Sequence, residues 1–104
     1  EQIKTSTPRT QIAYTTAIMN YSMYLSLLPF DGKTLTLLII DLIRSNLDNE
    51  AIYRLIYAIG NCCVYYKETL ETIRSVPDII NILKNLNLNE NMMPSLNALL
   101  NLIQ

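Results

Sequence analysis

Apolar residues recur three and four positions apart along most of this chain, which is the spacing of helices that bury one face. The pattern is strongest over residues 33–47, whose inward positions are Leu35, Leu38, Ile39, Leu42 and Ile43. Leu37 and Ile40 add a second apolar side, and a helix that is apolar nearly all round lies between neighbours. This segment therefore predicts a helix sandwiched within a helical protein.

Residues that favour helix ends divide the rest of the chain. Pro29 closes a first helix. Asp48 or Asn49 can cap a third helix, with Glu50 in its first turn, where the helix dipole favours a negative charge. Pro77 suits the first position of a fifth helix, where its missing N–H is not needed. We therefore predict six helices, over residues 9–28, 33–47, 49–66, 67–75, 77–86 and 90–103.

In the first and third of these helices, the residue types distinguish one side of the helix from the others. The first has one side formed by Ile12, Thr16, Met19 and Met23. The third has an apolar stripe of Ile52, Leu55, Ile56, Ile59 and Cys63, and a second stripe of Arg54, Tyr57, Ala58, Asn61 and Tyr65. Gly60 lies inside the third helix at a cost of about 1 kcal/mol relative to alanine. We expect this glycine to allow close packing between helices.

A short pattern that ends in asparagine occurs three times at almost equal spacing. It comprises Ala17–Asn20, Ala58–Asn61 and Ala98–Asn101, whose asparagines are 41 and 40 residues apart. A period of roughly 40 to 47 residues is typical of HEAT and armadillo repeats, in which two or three helices form each repeat. The predicted fold class is therefore all-α, an armadillo/HEAT-like helical repeat solenoid of about six helices. Such stacks bind peptides or other proteins on a concave surface.

The chain has 104 residues, the size of one domain, and we predict a single armadillo-like domain over residues 1–104. The helix 9–28 matches the last helix of a repeat whose earlier helices are missing. A solenoid that begins there leaves an apolar end uncovered. We therefore expect the chain to be a C-terminal fragment of a longer array.

Composition narrows the classes of function. Charged residues make up 16% of the chain and the net charge is −1, so no overall basic field attracts nucleic acid. The longest apolar run, Leu35–Ile43, is interrupted by Asp41 and is far shorter than the roughly 20 residues of a membrane span. Cys62 and Cys63 are adjacent, and we interpret them as small buried groups in a reducing compartment. We expect a cytoplasmic and/or nuclear protein that binds neither nucleic acid nor membrane.

The residues that most enzymes need are missing from the sequence. There is no histidine, which excludes His-based acid–base catalysis, His metal ligation and the usual Ser or Cys triads. The two glycines, Gly32 and Gly60, cannot form a glycine-rich phosphate loop. We predict no catalytic residue, no metal site and no cofactor, and we interpret the protein as a non-enzyme.

The row of asparagines requires an explanation, because asparagine is a poor helix former. One interpretation is a ladder in which Asn20 and Asn61 donate to and accept from the backbone of an extended bound peptide. The other is hydrogen bonding between helices that sets the packing of the repeats. For Asn20 and Asn61 both interpretations are open, whereas for Asn101, near the chain end, we favour packing.

Arg54 lies two turns before Asn61 on the same face of the third helix, with Tyr57 between them. A planar guanidinium suits a carboxylate, so Arg54 is a candidate for binding an acidic ligand. The alternative is a structural ion pair with Glu50, one turn earlier. Tyrosine offers a flat apolar face with a polar tip, and we choose Tyr57 and Tyr24 as candidate peptide contacts.

At these residues the sequence resembles a known family. The segment Gln11–Ser22 is similar to the "IA…LNYS" helix of the PUL domain, and Glu50–Gly60 is similar to its "E..FRLLVALG" helix. Leu99–Leu102 resembles the end of that domain. The PUL domain is the C-terminal module of the phospholipase-activating-protein (PLAA) family. The resemblance covers residues 10–103, which would be the later half of the domain.

This resemblance implies a function as an adaptor in ubiquitin-dependent protein degradation. The implied partner is the C-terminal tail of the hexameric AAA ATPase called valosin-containing protein, received by a positively charged patch in the groove. Ubiquitin would be bound only by other domains of such proteins. The family's Arg falls on Arg54 and its Asn on Asn20, whereas Asn61 stands where the family often has Thr. The alternative function is a structural segment of a larger helical-repeat scaffold, with a packing or dimerisation role.

Overall fold

The computed structural model describes residues 7–22, 32–45, 47–65 and 68–104, except for the side chain of Tyr65. Over these residues the chain forms six α-helices, which confirms the all-α prediction. They are α1 (Pro8–Ser22), α2 (Gly32–Ile43), α3 (Asn49–Tyr65), α4 (Thr69–Arg74), α5 (Ile79–Lys84) and α6 (Met93–Ile103), with a 3₁₀ turn (Glu90–Met92) directly before α6. The end predicted for the first helix lies outside the described residues.

The long helix α3 lies at the centre of the molecule. It packs against α1, α2, α4 and α6, while α2 also packs against α4, and α5 against α6. The three helices that carry the asparagine pattern, α1, α3 and α6, therefore lie side by side in one row. Equivalent helices of successive repeats stack in this way in solenoids, and the helical-repeat prediction is confirmed.

The core is built on one stripe of α3. Ala51, Leu55, Ala58 and Cys62 are completely inaccessible to solvent, and their spacing of four, three and four places them on a single line along the helix. The sequence analysis placed Ala58 on the second, more polar stripe, which is wrong. Its small side chain is instead part of the most deeply buried line, where neighbouring helices contact α3.

The buried side of α1 differs from the apolar side predicted for it. The structure buries Gln11, Thr15 and Ser22, whereas Ile12 and Met19 are only partly buried. The hydroxyl groups can be buried because each finds an acceptor in its own helix. Thr15 Oγ1 donates to the carbonyl of Gln11 (2.8 Å), and Ser22 Oγ donates to the carbonyl of Met19 (2.6 Å). Satisfied polar groups can be buried at little net cost.

The start of α3 is tied to α1 by a side chain. The amide oxygen of Gln11 accepts a hydrogen bond from the backbone N–H of Asp48 (2.8 Å). The Asp48 carboxylate in turn accepts from the backbone N–H of Glu50 (3.1 Å), which confirms the predicted cap of this helix. One short network therefore both begins α3 and holds it against α1.

The boundary before α5 is later than the sequence analysis predicted. The helix begins at Ile79 rather than at Pro77, because Asp78 adopts a left-handed conformation with φ 61° and ψ 20°. A residue in this region cannot continue a right-handed helix, and aspartate is one of the few side chains that tolerate it. The prediction that Pro77 forms the first helical position is therefore wrong.

The C-terminal end of α6 is bound by a side chain from α4. Arg74 Nε donates to the carbonyl of Ile103 (2.9 Å), and a terminal nitrogen of the same guanidinium donates to the carbonyl of Leu102 (3.1 Å). The last carbonyl groups of a helix have no partner within the helix, and cations stabilise that end through the helix dipole. Arg74 thus positions the last turn of α6.

Replacing Gln11 with alanine should lower the free energy of unfolding by about 1 kcal/mol, because the N–H of Asp48 loses its acceptor. Urea denaturation followed by circular dichroism measures this change. Arg9→Ala, at an exposed position of the same helix, is the matched control and should change stability by at most about 0.5 kcal/mol. Equal losses in both variants would show that the tie between α1 and α3 does not stabilise the fold.

Candidate peptide-binding surface

Three of the five predicted site residues lie on the part of α3 that faces away from the core. Tyr57 is 49% exposed, and Arg54 and Asn61 are partly buried. Asn20 is exposed on α1, the neighbouring helix. Tyr24, the fifth, lies outside the described residues. The structure therefore brings Arg54, Tyr57 and Asn61 onto one helix and places Asn20 on the helix beside it.

Arg54 forms the ion pair with Glu50 that the sequence left open as an alternative. Its guanidinium contacts the Glu50 carboxylate and also donates to the Glu50 carbonyl (3.3 Å). Both side chains are partly exposed, and pairs of this kind, four residues apart on a helix, contribute only about 0.3 to 0.5 kcal/mol. Such a weak pair can be exchanged for another carboxylate.

Asn61 makes a hydrogen bond between helices. Its side-chain nitrogen donates to Ser22 Oγ on α1 (3.1 Å). The packing interpretation therefore applies to this residue, although an amide group has a second N–H and an acceptor oxygen. Asn20 and Asn101, at the corresponding positions of the other two patterns, are exposed. The three asparagines thus have different surroundings despite their regular spacing.

A groove of about 270 Å³ lies between α3 and α6, and two of the predicted site residues, Tyr57 and Asn61, line it. We call it the α3/α6 groove; it is lined by Ile56, Tyr57, Gly60, Asn61, Val64, Ser95, Ala98, Leu99 and Leu102. Val64 is 74% exposed and Leu102 is 48% exposed. Within the described part of the chain, no acidic side chain lines the groove. It offers an apolar surface with a few polar groups, as peptide-binding sites do.

An arginine is present near each end of the α3/α6 groove. Arg54 lies one helical turn before Tyr57, which lines the groove. Arg74 donates to the carbonyl of Leu102, another lining residue. Cations near both ends of a groove without lining carboxylates favour an acidic ligand. The sequence analysis did not select Arg74, because isolated surface charges are usually just solvated, and the contact that positions Arg74 joins residues 28 positions apart.

Gly60 faces the α3/α6 groove rather than a neighbouring helix. A Cβ atom built on this glycine would meet no atom of the described residues within 4 Å. The expectation that Gly60 allows close helix packing is therefore wrong, because none of the described helices is packed against it. Sequence reasoning noted the unusual glycine, but only the structure shows which side of α3 it occupies.

The two cysteines are unreactive components of the core, as predicted. Cys62 is buried and Cys63 is partly buried, and both are free thiols. Burial and the neighbouring Cys63 raise the pKa of Cys62 to about 12, and burial also raises the pKa of Cys63. A thiol held in its protonated form is a poor nucleophile and a poor metal ligand.

The residues that the structure describes contain no group of three or more His, Cys, Asp or Glu side chains placed to hold a metal ion. They also contain no helix that is both long and apolar enough to cross a membrane.

A comparison with protein-family models identifies the family. The model of the PUL domain matches residues 1–103 of this chain. The chain belongs to the PUL domain family. PUL domains are protein-interaction domains and not a catalytic family. No curated protein and no solved structure matches the chain. The resemblance seen in the helices of Asn20 and Arg54 is thus confirmed at the level of the family.

The raised pKa of Cys62 makes stability depend on pH. Between pH 9 and 12 the folded protein keeps a proton that the unfolded chain loses, so the free energy of unfolding falls as pH rises above the ordinary thiol pKa of 9.0. Between about pH 8 and 10 this loss should reach roughly 1 kcal/mol.

Urea denaturation at both pH values, compared between the natural protein and Cys62→Ala, isolates this contribution. The variant lacks the thiol but keeps every tyrosine and lysine that titrates in the same range. We expect the natural protein to lose more stability than the variant between the two pH values. Equal losses would show that Cys62 ionises without penalty in the folded state.

Proposed function

We propose that this PUL domain is an adaptor that binds the acidic, extended C-terminal tail of a valosin-containing-protein-type AAA ATPase in ubiquitin-dependent degradation. The observation that supports this most directly is the side of α3 that carries Arg54, Tyr57 and Asn61 beside an apolar groove, which none of the described acidic residues lines. The choice of partner follows the family resemblance. Such an adaptor would act where that ATPase acts, in the cytoplasm and/or nucleus.

Each proposed contact uses a group whose surroundings permit it. Arg54 would exchange its weak pair with Glu50 for a carboxylate of the tail, to which a planar guanidinium can donate two parallel hydrogen bonds. Tyr57, half exposed, would pack on a side chain of the tail. The amides of Asn61 and Asn20 would hydrogen-bond the tail backbone, and Tyr24 remains a predicted contact. Ubiquitin would be bound by other domains of proteins of this family.

The affinity of such a site is expected to be modest and sensitive to salt. Arg54 is partly exposed, and charge pairs near a surface are screened at physiological ionic strength. Complementary charges of this kind contribute specificity and a faster encounter more than they contribute affinity. Part of the binding must therefore come from the apolar α3/α6 groove.

The first test of this function reverses the charge of Arg54. Arg54→Glu should weaken binding of a fluorescently labelled peptide of the valosin-containing-protein C-terminal tail at least about tenfold at low salt, because one attractive contact becomes repulsive. Glu50→Gln should strengthen binding a few-fold, because it removes the carboxylate that competes for Arg54. Fluorescence anisotropy titrations at low and high salt measure both effects.

Arg44→Glu is the matched control for this experiment. It changes the net charge by the same amount but lies in a different cleft, lined by Ile43, Arg44, Ile82 and Leu86. It should alter binding much less than Arg54→Glu does. Tail binding that is equally strong in the natural protein and in Arg54→Glu would exclude the proposed site.

A second candidate function is self-association through the other end of the row of helices. A cleft of about 260 Å³ between α1 and α2, here called the α1/α2 cleft, is almost entirely apolar and is lined by Tyr14, Ala17, Ile18, Tyr21 and Leu35. Tyr14 and Tyr21 are about half exposed. In the row of α1, α3 and α6, α1 packs against α3 and lies at the end away from α6, so a second copy that covers this cleft could continue the stack there.

Substitutions of two alanines at equivalent repeat positions distinguish the two candidate functions. Ala17 lines the α1/α2 cleft and Ala98 lines the α3/α6 groove, and both are exposed. If copies associate through the cleft, Ala17→Glu should abolish a concentration-dependent dimer in sedimentation velocity experiments, because it places a charge in an apolar contact. Ala98→Glu should leave that dimer intact and weaken binding of the tail peptide. A natural protein that stays monomeric at high concentration would exclude this second function.

A further inference from the structure

We infer that Gly60 is the point at which the main chain of the bound peptide comes closest to α3, and that it restricts the peptide to a small side chain there. The inference rests on the proposed peptide-binding function and adds a residue that determines specificity. The peptide in question is the acidic, extended tail proposed above. The cations near both ends of the α3/α6 groove, and the lack of acidic lining residues among those the structure describes, match such a tail.

Backbone conformation does not require a glycine at this position. Gly60 lies inside the regular helix α3, and no described glycine has a positive φ. Any ordinary residue could adopt the same helical backbone, and alanine would favour it more strongly, because glycine is among the poorest helix formers. The reason for the missing side chain must therefore lie outside the backbone.

Packing within the chain does not require a glycine either. The small residues that do serve packing in α3 are Ala51 and Ala58, which are fully buried. Gly60 is on the other side of the helix, and an added Cβ would come within 4 Å of no atom in the part of the chain that the structure describes. None of the described helices uses the room that this glycine leaves.

The position of Gly60 shows what could use that room. Tyr57 lies one turn before it and Val64 one turn after it, and both project from the same wall of the groove. Between them the helix backbone is uncovered, while the amide of Asn61 is next in sequence. Glycine at such a place allows the backbone of a ligand to approach closely.

The geometry also defines the sequence of the ligand at this point. Tyr57 and Val64 are seven positions apart in the helix, which is a distance of about 10 Å along its axis. An extended peptide that runs along the groove covers this distance in about three residues. Larger apolar side chains could contact Tyr57 and Val64, but the residue over Gly60 must be small, such as glycine, alanine or serine.

Replacing Gly60 with alanine tests this inference, because one added methyl group should have opposite effects on stability and on binding. Gly60→Ala should raise the urea midpoint, since the methyl group meets no atom of the protein and alanine favours the helix. Affinity for the labelled tail peptide of valosin-containing protein should fall at least fivefold, and Gly60→Val should lower it further. The loss should be the same at low and high salt, unlike the loss caused by Arg54→Glu, because it is steric.

Ala13→Ser is the control for this experiment, since it adds one atom at an exposed position of α1 outside both clefts. It should leave the affinity unchanged. Equal affinity of Gly60→Ala and the natural protein, with Arg54→Glu still impaired, would overturn the role of Gly60 and leave the proposed function standing. A lower urea midpoint for Gly60→Ala would also overturn it, because the glycine would then serve the fold. Failure of the natural protein to bind the peptide at all would overturn both.

Discussion

The fully buried stripe of α3 is the constraint on which the rest of the structure depends. Ala51, Leu55, Ala58 and Cys62 face the core along the whole length of the helix. An α-helix turns through about 100° per residue, so burial of this line and of Ile52, Ile56 and Ile59 beside it directs other positions of the helix away from the core. Arg54, Tyr57 and Asn61 lie at such positions. The same packing that stabilises the fold therefore presents the candidate binding surface.

Polar side chains join α1 to α3 where apolar contacts are incomplete. The buried face of α1 carries Gln11, Thr15 and Ser22, and two of these residues bond directly to the α3 segment. Hydrogen bonds are directional, whereas apolar contacts are not. Gln11 bonds to Asp48 at the start of α3, and Ser22 bonds to Asn61 further along that helix. These two hydrogen bonds therefore fix how α1 and α3 lie against each other. Asn20 stays exposed on α1, the helix that packs against α3.

The candidate surface combines features that neither a stable core nor an ordinary solvated face explains. Large apolar side chains project from α3 and α6 near Gly60, which packs against none of the described residues. Near the groove, Arg54 forms a weak pair with Glu50, and Arg74 donates to backbone carbonyls. Within the described residues, no carboxylate lines the groove. A family of protein-interaction domains is the expected context for such a surface.

The amino-acid sequence by itself determined the helices and their local contacts. Periodicity predicted the six helices found among the described residues, and Asp48 was one of two candidates for the cap of α3. Four-residue spacing offered the ion pair of Glu50 with Arg54 as one of two alternatives. The asparagine period predicted that the helices carrying it are equivalent, and they lie in one row. All of these features depend on residues within a few turns of one another or on a regular repeat.

Only the tertiary structure decided which way each helix is rotated and what its exposed side contacts. Apolar periodicity misplaced the buried side of α1, because hydroxyl groups that bond to their own helix can be buried as well as apolar ones. The bonds of Asn61 to Ser22 and of Arg74 to α6 join residues 39 and 28 or more positions apart, beyond the reach of any local pattern. Gly60 could have faced a helix or open space, since its sequence context is the same in either case. Its surroundings depend on where α6 packs, which is a property of the assembled fold.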